Sequence, residues 1–169
     1  MKRGIRFLFL FFLLSPFLYA DKAPRFNLKN LEGKFVSLGS LLQIGPVVVD
    51  FWATWCKYCD DELDLLNELY REIGDTLFTV AAISIDNPKA LSKIRSIVKA
   101  RKWRFPVLLD SDKKVKKRYK VIGLPTLFVI NREGEIVWTR MGYHPSQKEE
   151  LRELLVGLIL SNKEGDREE

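Results

Sequence analysis

The chain has 169 residues, of which 47% are hydrophobic and 30% charged, with a formal net charge of +6, two cysteines and one histidine. That length fits one domain with a substantial core, and no internal repeat or low-complexity linker divides it. Three of the positive charges (Lys2, Arg3 and Arg6) fall in the first 20 residues, which hold no acid; the rest carries only +3, a poor match for nucleic acid as a partner.

The chain opens with "MKRGIRFLFLFFLLSPFLYA", basic and then almost wholly apolar from Phe7 to Ala20. The run is shorter than the roughly 20 apolar residues a membrane-spanning helix needs. It predicts a signal peptide over 1–20 and export to the periplasm or the outer face of the cytoplasmic membrane. Leu18 stands where a small residue usually precedes the cut, so retention as an N-terminal anchor is the competing reading. The globular domain is expected over 21–160, with a flexible charged tail, "SNKEGDREE", over 161–169.

Alternation around a Glu-Gly-Lys turn predicts a β-hairpin at 26–38. "PVVVDFW" behind Gly45 reads as a central buried strand. From Cys56 to Ile73 the period becomes helical, with Cys59, Leu63, Leu66, Tyr70 and Ile73 on one stripe and Gly74 as the stop. "LFTVAAISI" is a second buried strand, and "PKALSKIRSIVKARK" a helix with Pro88 in its first turn. "FPVLLD" is a strand, and "SDKKVKKRYK" a short basic helix behind an Asp or Ser cap. "TLFVI" and "EIVWTRMG" flank the turn "NREG", and "SQKE" from Ser146 opens a last helix to Leu160. This order predicts an α/β fold, a central mixed sheet flanked by helices.

Cys56 and Cys59 raise the chemical question. Two intervening residues close too small a loop to be an effective staple. A closed zinc site needs four ligands, and the pair has only His144 to add. Redox exchange remains. At the open end of a helix, unpaired N–H groups and the helix dipole favour a thiolate, which makes Cys56 the nucleophile and inward-facing Cys59 the resolving thiol. Lys57 either adds to that stabilisation or is simply solvated. Asp50 interrupts an apolar strand; it is either a buried proton acceptor with a raised pKa or a strand-end carboxylate bonded to backbone. The acids of "DDELD" read mainly as ordinary first-turn chemistry; crowded at the helix mouth, they would oppose the thiolate and favour basic partners. "KKVKKRYK" reads as a solvated face, with an acidic partner or an anionic lipid surface as the alternative. His144 is expected at the surface, and Trp103 and Trp138 in packing.

"VVVDFWATWCKYC", then "GLPT" and "LFVINREGEIV", resemble the thioredoxin fold across about residues 24–160. The N-terminal hairpin and an inserted helix-containing segment near 88–104 are similar to its exported ResA/TlpA-type branch. That resemblance implies a three-layer fold, attack by Cys56, resolution by Cys59 and a buried acid at Asp50. It further implies Trp52 and Trp55 as the aromatic flank, Pro125 as a cis-proline facing the cysteines, and Leu124 and Thr126 beside it in substrate binding. Lys57-Tyr58 replaces a dipeptide that commonly ends in proline, so the redox tuning carried by these two residues is open.

The resemblance implies a thiol–disulfide oxidoreductase with no cofactor beyond the redox-active Cys56–Cys59 pair. It would act as a monomer and a reductase of cysteine-containing exported proteins, apocytochrome c among them, with a membrane thiol transporter as electron donor. The competing functions are an oxidase or isomerase on the same fold, a thiol peroxidase and a copper-delivery module. Val49 and Ala53 stand where a peroxidase motif needs Pro and Thr, and no His or Met cluster accompanies the thiols for copper.

Overall fold

The computed structural model describes residues 21–165; the expected signal peptide and the last four residues lie outside them. Among the described residues a seven-stranded sheet runs in the order β2-β1-β5-β4-β3-β6-β7. The strands are β1 (Asn27–Asn30), β2 (Phe35–Ser37), β3 (Val47–Trp52), β4 (Thr79–Ser84), β5 (Val107–Leu109), β6 (Thr126–Ile130) and β7 (Ile136–Met141). Between them lie α1 (Leu38–Leu42), α2 (Cys59–Ile73), α3 (Leu91–Arg101), α4 (Lys114–Arg118) and α5 (Gln147–Gly165). β3, β4 and β5 pair in parallel, joined by α2 and α3, whereas β6, β7, β1 and β2 add antiparallel. The segment expected as an insertion near 88–104 is the crossover that carries α3, opened by a 3₁₀ turn at Pro88–Ala90.

Every residue of β3 and β4 is buried, because both faces of the sheet are covered. Alternation along β3 sends its residues to two different cores. Val48 and Trp52 pack with Leu63, Leu66, Ile94, Leu151 and Leu155 of α2, α3 and α5. Val47, Val49 and Phe51 pack with Leu38 and Leu41 of α1, Val115 of α4 and Tyr119 just after it. Asp50 shares the parity of Val48 and Trp52, so its carboxyl belongs to the α2 side.

Three boundaries differ from the sequence reading. α1 was not foreseen: Ser37 and Ser40 cap it reciprocally, ending the alternation that "FVSLGSLL" otherwise continues. α2 begins at Cys59 rather than Cys56, because the Cys56 N–H closes a turn onto the Ala53 carbonyl at 3.0 Å. α5 continues to Gly165, five residues beyond Leu160. At its start the Ser146 hydroxyl sits 2.7 Å from His144 Nδ1, and the His144 N–H donates to the Gln147 side-chain oxygen at 3.3 Å. The N-cap of α4 is Lys113, in a left-handed conformation, rather than the expected Asp or Ser; Asp110 accepts from the Val115 and Lys116 N–H groups, and Asp112 from that of Lys114.

Gly45 lets the approach to β3 pass directly over the start of β4. A Cβ there would collide with the Leu77 carbonyl oxygen. Gly45→Ala should therefore lower stability by roughly 1–3 kcal/mol through overpacking. Urea denaturation checks this, and an unchanged midpoint would show that the 74–78 turn yields at no cost.

Candidate functional site

The cysteines join where β3 runs out and α2 begins. Their disulfide has an S–S distance of 2.09 Å and a Cα–Cα distance of 5.5 Å. The two sulfurs are not equivalent. Cys59 is wholly buried in the α2-side core, while Cys56 is partly exposed. The loop leading to Cys56 is held from β4's end: Asp86 accepts from the Thr54 N–H at 2.9 Å, from its hydroxyl at 3.0 Å and from the Ser84 hydroxyl at 2.9 Å. Lys93 Nζ donates to the Thr54 carbonyl at 2.9 Å. The N-cap of α2, Tyr58, supplies no side-chain cap, so the first-turn N–H groups keep their positive end near the sulfurs.

Beneath this mouth lie two buried carboxyl groups. Asp50 is completely inaccessible, and neither of its oxygens meets a protein hydrogen-bond donor. The reading in which backbone N–H groups satisfy it is therefore set aside. Burial first, and then the neighbouring Glu62 carboxyl, push its pKa well above the ordinary carboxylate range. Glu62 is 1% exposed, on the same face of α2 as Cys59 and three residues on. Its pKa is also raised by burial, partly offset by Asp50 and by Gln147, whose Nε2 donates to Oε1 at 2.7 Å. Glu62 Oε2 has no donor. Two carboxylates cannot hydrogen-bond each other; one proton between Asp50 and Glu62 turns an unfavourable pair into a bonded one.

The Leu124–Pro125 peptide is cis, as the resemblance implied, and the Thr126 hydroxyl donates to the Gly123 carbonyl at 2.8 Å. Leu124 and Gly123 line one groove with Trp55, Cys56, Lys57 and Tyr58. Pro125 and Thr126 are buried behind it. Trp55 is exposed, but Trp52 is fully buried and packs edge-on against Trp103 at 5.2 Å; only one of the two expected flanking tryptophans reaches solvent. Lys57 Nζ lies 5.1 Å from the Tyr58 ring centroid. His144 is exposed, and Trp103 is buried with its Nε1 donating to Asp64 at 2.7 Å.

Sequence reasoning treated the acids after Cys59 as one group, and the structure separates them. Asp60 and Asp64 pair with Arg101 at 3.2 and 2.5 Å. Glu62 points inward and was missed, as were Gln147 and Asp86. The helical period carried a signal for Glu62, since i+3 from a core-facing Cys59 lies on the buried stripe. Nothing local marks Gln147, which meets Glu62 across 85 residues.

The AhpC/TSA family model matches residues 19–139. The thiol-disulfide oxidoreductase ResA of Bacillus thuringiensis subsp. konkukian is 35% identical over 134 residues, covering 79% of this chain and 75% of that protein. A crystal structure assigned as the thiol:disulfide interchange protein DsbE of Chlorobium tepidum superposes with a TM-score of 0.75 at 28% identity. It covers 83% of this chain and 96% of that one. The exposed lipoprotein thioredoxin of Streptococcus pneumoniae gives a TM-score of 0.66 at 27% identity, covering 80% of this chain and 100% of that one.

A buried acid with a raised pKa stabilises the fold fully below its unfolded pKa, near pH 4, and that contribution is lost as pH rises through its folded pKa. Asp50→Asn removes the loss. Its stability relative to the parent should grow with pH, by up to about 1.4 kcal/mol per pH unit between the two pKa values. Urea melts from pH 4 to 9 check this; a pH-independent difference would contradict it. Gln147→Leu, by removing a donor that favours ionised Glu62, should move the pH profile of disulfide exchange to higher pH, read by stopped-flow kinetics.

Proposed function

The chain belongs to the AhpC/TSA family of thioredoxin-like proteins and is a thiol–disulfide oxidoreductase, and from that premise we propose that it reduces disulfides in exported proteins. The observation that carries the mechanism is the inequality of the two sulfurs over a buried acid pair. In the reduced enzyme the accessible Cys56, at the positive end of α2, attacks a substrate disulfide as thiolate. One substrate sulfur leaves as a thiol, and a mixed disulfide joins Cys56 to the other. Cys59 then attacks Cys56 Sγ, releasing the second substrate thiol and leaving the Cys56–Cys59 disulfide. Before that attack Cys59 must lose a proton while wholly buried, out of contact with bulk solvent. The Asp50–Glu62 pair beneath it is the acceptor, because a buried carboxylate gains by taking a proton. The cis-Pro125 turn and the Leu124 backbone receive the substrate chain beside Cys56.

No cofactor is needed beyond the dithiol. Each turnover leaves the enzyme oxidised, so a membrane thiol transporter is proposed as donor, with cysteine-containing exported proteins, apocytochrome c among them, as acceptors. Location outside the cytoplasm is supported by the basic and apolar residues 1–20 and by the likeness to an exposed lipoprotein thioredoxin. Among the described residues no helix is long and apolar enough to cross a membrane. The peroxidase alternative gains no support at the site, where Val49 and Ala53 are buried apolar residues.

Cys56→Ala should abolish exchange, lowering it at least a thousandfold, while Cys59→Ala should retain a covalent mixed disulfide with substrate, seen as a mass shift that dithiothreitol reverses. Capture by the Cys56 variant and none by the Cys59 variant would reverse the assigned roles. Redox titration against glutathione tests direction: a potential near the oxidising end would identify an oxidase.

A further inference from the structure

The groove that exposes Cys56 has a chemical character of its own. Its volume is about 390 Å³, and its apolar rim is Trp55, Tyr58 and Ile122, which are 68%, 51% and 86% exposed. Side chains of this size left open beside a reactive sulfur form an anchor for a bulky apolar residue. The charged residues lining the groove are Lys57 and Lys116, and among the described residues neither has a carboxylate partner. Lys117 and Arg118 of α4 and the flanking Lys113 and Lys120 add further positive charge, all of them exposed.

Most of the acids near this face are engaged, and the exposed Asp61 lines a separate pocket with Tyr143 and Lys148 rather than this groove. Asp112 pairs with Lys114 at 2.7 Å, and Asp110 is buried and accepts two backbone N–H groups of α4. Asp60 and Asp64, which follow the cysteines in sequence, are bound to Arg101. The surface around Cys56 is therefore positive and apolar, although an acidic run follows Cys59 immediately in the chain. Basic partners, which that run would favour, meet lysines instead.

Resting on the reductase reading above, we propose that this groove selects substrate segments whose reactive cysteine is flanked by acidic residues and a bulky apolar one. The apolar residue sits against Trp55 and Ile122, and the acids lie over Lys57 and Lys116. Charge complementarity then raises the encounter rate and orients the substrate sulfur toward Cys56. The chemistry is unchanged: two electrons pass from the Cys56–Cys59 dithiol to the substrate disulfide, whose sulfurs leave as two thiols. A protein segment is favoured over an anionic lipid surface because the lysines belong to the wall of the groove that exposes the sulfur, where a substrate chain must lie.

The test is single-turnover reduction by the full chain, reduced beforehand with dithiothreitol and freed of it. Three disulfide peptides share one apolar residue and differ in flanking Glu, Ser or Lys. At about 20 mM salt the Glu peptide should react about three to ten times faster than the Lys peptide, with Ser between, and the gap should close near 500 mM. Lys116→Glu should shrink or invert the order at low salt. Equal rates for the three peptides, or an order unmoved by salt and by Lys116→Glu, would overturn the proposal while leaving the oxidoreductase reading intact. Reduction of none of them would remove that reading and this one with it. Equal peptide rates together with Lys116-dependent binding to phosphatidylglycerol vesicles would assign the patch to a membrane surface instead.

Discussion

Two carboxyl groups buried together beneath a disulfide constrain everything around them. Asp50 and Glu62 have almost no exposed surface, and three of their four oxygens meet no donor, so the fold tolerates them only while at least one proton is held between them. Desolvation of this kind is expensive, and a protein whose whole margin of stability is about 5–15 kcal/mol cannot carry it idly. In the mechanism proposed above that cost serves the cysteines: a buried proton acceptor is useful next to a buried group that must give up a proton. Cys59 is such a group, sealed in the same core one turn from Glu62.

The rest of the site follows from holding that pair in place while presenting one sulfur to solvent. Period two along β3 turns Asp50 toward α2, and period 3.6 along α2 turns Cys59 and Glu62 back toward it. Gln147 reaches in from the start of α5 to fix Glu62, so the acid pair draws on β3, α2 and α5 together. On the outer side, Asp86 and Lys93 hold the Thr54 loop, and Cys56 turns outward before the helix has begun. The chemical difference between the sulfurs is thus a difference of depth.

Much of this was legible in the chain. The β-branched run with a lone Asp predicted a buried acid, and the two-residue spacing behind it predicted an exchanging pair. Strands and helices were legible wherever the period held for more than one turn. What escaped was set by contacts distant in sequence or by single turns. Glu62 sat in a run of acids that looks solvated as a group, and only its facing across α2 distinguishes it from Asp60 and Asp64. Gln147 resembled an ordinary residue of a capping sequence. The sequence places the start of α2 at Cys56 because the apolar stripe carries no information on the turn that closes onto Ala53. Trp52, grouped with Trp55 by resemblance, follows the alternation of β3 into the core instead.

The protonation of the acid pair in the folded protein decides whether it can take the Cys59 proton. Carboxyl-carbon NMR titration of the oxidised protein, with Asp and Glu labelled and Asp50→Asn and Glu62→Gln used for assignment, measures it directly. Asp50 should titrate well above the ordinary carboxylate range, and its titration should move downward when Glu62 is replaced. An Asp50 that titrates near pH 4, indifferent to Glu62, would mean that the pair holds no proton and that Cys59 gives its own to some other group.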